Sequence, residues 1–173
     1  MPTATYNQIA TYTVPTNTPS YTFSSISQAY TDLIVDVLLP PYSTNFDIQI
    51  GASNTIDTSG NYSTTRNFQY GTSPSINVDA QSDNATGLLG NVSNSTTTNQ
   101  PTYIHMQIMN YSSAAMNKTV LTEFGALESS GAQAVIAGLW RSNSAVNCLR
   151  IWSTNSSNIP AGTIISLYGI AAA

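Results

Sequence analysis

The sequence predicts an all-β fold, an antiparallel β-sandwich of the jelly-roll type with about eight to ten strands. Short segments in which apolar and polar residues alternate recur along the chain, separated by clusters of Ser, Thr, Asn, Gly and Pro. No segment combines a helical apolar period with capping residues at its ends. The chain has 173 residues and no visible repeat or linker, so one domain over residues 1–173 is expected.

The predicted strands follow one another at short intervals. In FDIQIGA, Phe46, Ile48 and Ile50 share one face, and Asp47 and Gln49 share the other. The other predicted strands are ATYTV (10–14), DLIVDVLL (32–39), YIHMQIMNY (103–111), NKTVLTEF (117–124), AVIAGLWR (134–141), NCLRIW (147–152) and TIISLYGI (163–170). The last strand is expected to pair on both sides, beside the N-terminal strand. The turn at Gly162 is expected to join two adjacent strands.

Residues 80–102 form the least regular segment and are predicted to be a long loop. Long loops in compact domains are usually functional or mobile, so this one is predicted to be exposed or to contact a partner. Its GLLG sequence, with Leu88 and Leu89, would dock either on the body of the domain or on a neighbouring subunit. We expect that deletion of 88–98 leaves the monomer fold largely intact and weakens either assembly or binding to a partner surface.

The composition excludes several classes of function. Charged residues make up 7% of the chain, against about 25% in typical domains. The four basic residues are scattered and the net charge is −4, which argues against a nucleic-acid partner. No apolar stretch of about 18 residues is present, so no membrane span is expected. The N-terminal segment does not resemble a secretory signal, which predicts synthesis in the cytoplasm.

Few residues could perform chemistry. His105, the single histidine, is interpreted as a surface or interface residue, with a catalytic role as the weaker alternative. Asp32 and Asp36 share a strand face and could act as paired carboxylates, or could simply point to solvent. Two further carboxylates in a polar segment, Asp79 and Asp83, could ligate a calcium ion through their oxygens, although no EF-hand spacing is present. We expect no catalytic residue, cofactor or metal, and a buried, inert Cys148.

Two tryptophans next to arginines are the aromatic contact candidates. Trp140 precedes Arg141, and Trp152 follows Arg150 two residues later. Indole faces stack on sugars or on guanidinium groups, so Trp140, Arg141 and Trp152 are named as possible contact residues. The competing and favoured interpretation is that each tryptophan closes the core at the rim of the sandwich.

Several motifs in a fixed order resemble a β-sandwich family found on the virions of tailed bacteriophages, especially phages of cyanobacteria and marine bacteria. The resemblance runs from about residue 6 to residue 170. The motifs are YTFSSISQAYTDLIV, IHMQIMNYSS, NKTVLTEF, AGLWRSNSAVNCLRIW and AGTIISLYGI. In that family the domain is a capsid decoration protein or the distal part of a tail fibre. The resemblance carries no catalytic residue to this chain.

The first of these motifs also permits a physical interpretation. Phe23 and Ile26 are expected to anchor the start of a strand, Tyr30 to pack in the corner, and Asp32 to cap the backbone of the turn. In the terminal LYGI, Gly169 is expected to allow a neighbouring chain or strand to come close.

The resemblance implies a non-enzymatic structural protein of a tailed-phage virion, located on the capsid or tail surface. The first expectation is a capsid decoration, or cement, protein that binds the major capsid protein and itself, as a homotrimer, and stabilises the assembled head. The alternative is a tail-fibre tip or receptor-binding module that recognises a host surface glycan.

Overall fold

Thirteen β-strands form two antiparallel sheets in the residues that the computed structural model describes, which are 6–41, 44–70, 75–84, 87–89, 92–94, 101–126 and 132–171. The predicted all-β sandwich is therefore confirmed, with more strands than the eight to ten expected. The strands are β1 Tyr6–Thr13, β2 Ser20–Phe23, β3 Asp32–Leu39, β4 Thr44–Ala52, β5 Thr55–Ile56, β6 Tyr62–Tyr70, β7 Asn77–Asn84, β8 Val92–Asn94, β9 Thr102–Ile108, β10 Lys118–Ala126, β11 Ala132–Trp140, β12 Cys148–Ser153 and β13 Ile164–Ile170.

The larger sheet has eight strands in the order β1-β13-β3-β9-β10-β11-β6-β7. The smaller sheet has five, with β2-β12-β4-β5 in order and β8 also paired to β4. The last strand, β13, lies between β1 and β3 and pairs with both along its whole length, as the sequence predicted.

The strands on either side of Gly162, expected to be adjacent strands of the sandwich, are not neighbours in one sheet. β12 belongs to the smaller sheet and β13 to the larger one, so the segment between them crosses from one sheet to the other. The turn residues do reverse the chain, and Gly162 adopts φ +85°, a conformation that favours glycine. Turn chemistry specifies a reversal, and the burial of each strand's apolar face then determines which sheet it joins.

The core lies between the two sheets. Alternate residues of each strand point inward, as the predicted period of two requires. The larger sheet contributes the buried side chains Leu33, Val35, Val37, Ile104, Met106, Ile108, Val120, Ile136, Ile165 and Leu167, and the smaller sheet contributes Phe46, Ile48, Ile50, Leu149 and Ile151. Cys148 is also buried, as predicted, and burial raises the pKa of its thiol, which keeps the thiol protonated and unreactive.

Polar groups join the two sheets at one end of the sandwich. The Tyr62 hydroxyl, from the larger sheet, lies 2.8 Å from the backbone oxygens of Ile50 and Asp57, which share its single proton. The Trp140 indole N–H donates to the Asp57 carboxylate at 2.7 Å. Burial favours a raised pKa for Asp57, but hydrogen bonds from Ser59, Asn61 and Trp140 outweigh it and lower the pKa to about 2. This carboxylate therefore stays ionised and holds the loop after β5 in place.

The corner before β3 is anchored as its sequence indicates, because Phe23 and Ile26 are buried. Asp32 caps a different turn from the one expected: its carboxylate accepts a hydrogen bond from the backbone N–H of Asn110, after β9, at 2.8 Å. The Tyr30 ring lies directly against Gly169, where an added Cβ would fall 2.2 Å from a ring carbon. Gly169 thus accommodates an aromatic side chain of its own chain, whereas the sequence had suggested another strand or chain.

Replacing Gly169 with alanine is expected to lower the free energy of unfolding by about 1 kcal/mol, because the new methyl group displaces the half-buried Tyr30 ring. Urea unfolding of purified protein would measure this. The matched control is Gly125→Ala on β10, where an added Cβ meets nothing within 4 Å, and it should be close to neutral. Equal losses for the two variants would show that glycine is not needed for close packing at 169.

Candidate functional site

The GLLG segment is part of the core. Leu88 and Leu89 are both completely buried, and the Leu88 N–H donates to the Ile48 carbonyl at 2.8 Å. The segment lies beside β4 and inserts Leu88 against Gly138 of the opposite sheet. Of the two alternatives left open, docking on the body of the domain is the one found. The prediction that Leu88 and Leu89 are contact residues is therefore corrected, since neither side chain is accessible to a partner.

The predicted loop at 80–102 also contains regular structure. Its first residues belong to β7, residues 92–94 form β8, and residue 102 begins β9. The interior of this segment outside 87–89 and 92–94 lies partly beyond the described residues. The expectation that 88–98 can be removed without damage to the fold is wrong, because this deletion would remove two core side chains and a strand of the smaller sheet.

The two tryptophans have different environments. Trp140 is buried and forms part of the rim of the core, which is the favoured sequence interpretation and makes it unavailable as a contact residue. Arg141 does not stack on it; its guanidinium binds the Asp83 carboxylate at 2.6 Å and hydrogen-bonds to Ser63 and the Gly60 carbonyl. These bonds fix the loop before β6 to the end of β11.

The predicted stacking occurs at the second tryptophan. The Arg150 guanidinium lies over the Trp152 ring, 5.3 Å from its centre, and also donates to the Gln49 side chain. Trp152 is half-buried on the outer side of the smaller sheet. It remains a possible contact residue, although its ring face is already occupied by Arg150.

The acidic candidates are held in structural contacts. Asp79 pairs with Arg66, and Asp83 pairs with Arg141, so each of these proposed calcium ligands already faces a cation. Within the described ranges, no group of three or more His, Cys, Asp and Glu side chains is placed to hold a metal ion. The calcium hypothesis therefore receives no support from geometry.

The pair Asp32 and Asp36 does not fit a two-carboxylate catalytic site. Four residues along a strand separate two side chains by roughly 13 Å, whereas glycosidase carboxylates lie roughly 5–9.5 Å apart. Asp32 accepts hydrogen bonds from the Gln107 side chain and the Asn110 backbone. Its role is to fix the turn after β9.

Asp36 and His105 are directly opposite each other on β3 and β9 and lie on the outer face, the side of the eight-stranded sheet that points away from the smaller sheet. His105 Nδ1 lies 2.7 Å from Asp36 Oδ1, and the Tyr103 hydroxyl donates to the same oxygen at 2.8 Å. The order across the strands is Ser166, Asp36, His105. A nucleophilic triad needs the imidazole between the other two groups, so this row is not one.

Two further tyrosines adjoin this pair. Tyr6 on β1 and Tyr168 on β13 have ring centres 4.9 Å apart. Burial, and after it the neighbouring Asp36 carboxylate, raises the pKa of Tyr6. Burial and the hydrogen bond to Asp36 likewise raise the pKa of Tyr103. We call Asp36, His105, Tyr6, Tyr103 and Tyr168 the Asp36 cluster.

Sequence reasoning identified two members of this cluster and missed the three tyrosines. The available signal was the alternation in YIHMQI, which places Tyr103 and His105 opposite the apolar residues of the same strand. Tyr6 and Tyr168 come from strands about 160 residues apart. Their proximity depends on the pairing of β1 with β13, which no local pattern specifies.

Comparisons with known proteins give little beyond the fold. No protein-family model matches the chain, and no curated protein gives a significant match. Among solved structures, the crystal structure of the Caenorhabditis elegans galectin LEC-6 matches with 9% identity and a TM-score of 0.38, covering 94% of this chain and 96% of that one. So distant a likeness supports no functional conclusion. Among the described residues, none forms a helix long and apolar enough to cross a membrane.

Proposed function

We propose that this chain is a non-enzymatic structural protein of a tailed-phage virion, a capsid decoration protein that binds the assembled head through its outer face. One observation carries the proposal. Of the nine large apolar side chains that are exposed in the described residues, seven lie on this face: Tyr6, Leu38, Val78, Tyr103, Leu121, Val135 and Ile164. The remaining two, Ile76 and Met116, lie outside the strands.

The exposed apolar residues of the outer face form two groups. Ile164, Leu38 and Tyr103 are direct cross-strand neighbours on β13, β3 and β9. Leu121 and Val135 are diagonal neighbours on β10 and β11, with Glu123 between them and the first group, and Val78 follows on β7 beyond Asn67. Exposed apolar surface with polar residues around it is typical of protein–protein contact sites.

The sandwich is well suited to carry such a contact. The contact residues lie on strands that are hydrogen-bonded to neighbours and backed by a buried core, so little ordering accompanies binding. Binding to the mature shell in preference to its precursor would stabilise the mature state by mass action. From the resemblance to phage virion proteins we also propose that the protein binds the shell as a homotrimer.

The first test is the copy number per virion, measured by quantitative mass spectrometry against the major capsid protein. A decoration protein is expected at a ratio near one to one or a simple large fraction of it. A handful of copies would contradict decoration and favour the tail, where saturable binding to host surface polysaccharide becomes the next measurement. Absence from purified particles would exclude both virion roles.

The contact face is tested by sedimentation of purified protein with empty heads. The double variant Leu38→Ser/Leu121→Ser should bind at least about tenfold more weakly, because it removes two exposed leucines from the outer face. The matched control is Met116→Ser, which removes an apolar side chain of similar exposure from the turn before β10. Equal binding by all three proteins would exclude the outer face as the contact.

A further inference from the structure

The charges of the chain are distributed unevenly around the outer face. None of the four basic residues stands in its cross-strand rows. Lys118 and Arg66 are on the inner side of the larger sheet, Arg150 is on the smaller sheet, and Arg141 lies past the end of β11. The acidic residues Asp32, Asp36 and Glu123 stand on the outer face.

The Asp36 carboxylate retains capacity to bind. Its Oδ1 atom accepts from Tyr103 and lies beside His105, while Oδ2 has no partner among the described residues. The Tyr6 and Tyr168 hydroxyls are likewise without a hydrogen-bond partner within the described chain. Tyr6 and Tyr103 are each 47% exposed, so two aromatic rings and a carboxylate oxygen are accessible together.

We propose that the Asp36 cluster binds the side-chain cation of a lysine or arginine on a partner protein. A carboxylate attracts such a cation directly, and tyrosine rings attract it through their negative faces. The apolar residues Leu38 and Ile164, on the same and the adjacent strand, would pack against the methylene groups of that side chain. The site thus combines the features that a long basic side chain requires.

Charge also indicates what does not occupy this site. Two copies of the chain placed outer face to outer face would bring the acidic residues Asp32, Asp36 and Glu123 against a face that holds no lysine or arginine. Like charges in an interface are unfavourable, which disfavours a second copy in this orientation. The partner is therefore a different protein with a basic, partly apolar surface. In the proposed function, on which this assignment of the partner rests, that protein is the shell subunit.

The site can be tested on the isolated protein by nuclear magnetic resonance. The ¹⁵N-labelled full chain is titrated with n-butylammonium as the probe for a lysine side chain, and with n-butanol as the uncharged control. We expect saturable shifts confined to the cluster and its neighbours, and much smaller shifts with n-butanol. Added salt should weaken binding, because part of the attraction is between exposed charges.

Variants separate this site from a general effect of net charge. Asp36→Asn should lower the affinity for n-butylammonium at least about fivefold, and Tyr6→Leu should lower it by a smaller factor. Asp83→Asn removes the same charge from a carboxylate far from the cluster, beside Arg141, and should leave the affinity unchanged. The amide spectrum of each variant reports whether it is folded.

Three results would overturn the site: no saturable shift, shifts that persist in Asp36→Asn, or equal shifts with n-butanol. Shifts with a neutral methyl glycoside but not with n-butylammonium would replace the basic partner with a glycan. The titration does not involve the shell, so it tests the site separately from the virion role. If the titration is positive and the protein is absent from virions, the site is retained and the virion role is rejected. If the titration is negative and the protein is present in virions, the virion role is retained and the site is rejected.

Discussion

Leu88→Ala is expected to lower the free energy of unfolding by about 2–5 kcal/mol, the cost of removing a fully buried leucine from a packed core. Leu88 is 0% exposed and approaches Gly138 so closely that a methyl group there would lie 3.2 Å from the leucine side chain. The vacated volume lies between the sheets, where hydrogen-bonded strands limit collapse. Urea or guanidinium unfolding, followed by tryptophan fluorescence, would measure the loss.

The matched control is Val78→Ala, on the outer face. Val78 is 70% exposed, so its truncation should change stability by no more than about 0.5 kcal/mol. A loss below about 1 kcal/mol for Leu88→Ala would contradict the core position of the GLLG segment. It would also restore the interpretation of this segment as a surface loop.

Tyr62→Phe is expected to cost about 1–3 kcal/mol, because the hydroxyl that it removes is buried and lies within hydrogen-bond distance of three backbone groups. The hydroxyl accepts from the Ile50 N–H at 3.2 Å and faces the Ile50 and Asp57 carbonyl oxygens at 2.8 Å. Phenylalanine fills the same volume, so the loss reports the polar groups that join the two sheets. Thermal or urea unfolding at pH 7 gives the value.

The same substitution should change the response to alkali. Burial, followed by the nearby Asp57 and Asp47 charges, raises the pKa of Tyr62. An unfolded tyrosine ionises near pH 10, whereas the folded protein keeps the Tyr62 proton, so stability is fully present below about pH 10 and falls as pH rises above it. The difference between the parent and Tyr62→Phe should therefore shrink above pH 10. A constant difference from pH 7 to 11 would contradict the raised pKa.

Tyr103→Phe is the control for the loss at neutral pH. The Tyr103 ring is 47% exposed on the outer face, so its hydroxyl is not buried between the sheets. It should produce a smaller loss at neutral pH than Tyr62→Phe.

The strands that the sequence predicted well are those with apolar residues at every second position. β1, β3, β4 and β9 through β13 each overlap such a segment. β6 and β7 were missed because their inward positions hold Thr64, Arg66 and Gln81, so no apolar period is present. β5 and β8 have two and three residues, which is too short for any pattern.

The candidate site was less predictable for a related reason. Its residues come from β1, β3, β9 and β13, and only the pairing of distant strands places them on one face. Local composition pointed to neighbouring tryptophan and arginine residues as contact candidates. One such pair makes contacts within the protein instead: Trp140 is buried in the core, and Arg141 binds Asp83. Burial and register depend on the whole chain, so they could not be obtained from a short segment.

The position of β13 between β1 and β3 has a consequence during synthesis. A ribosome adds roughly 5–20 residues per second, so roughly 8–30 s separate the appearance of β1 from that of β13. Throughout that time neither β1 nor the outer edge of β3 can find its final partner. The eight-stranded sheet can therefore close only after nearly all of this sequence has emerged. Until then the nascent chain exposes strand edges that could pair with a neighbouring nascent chain.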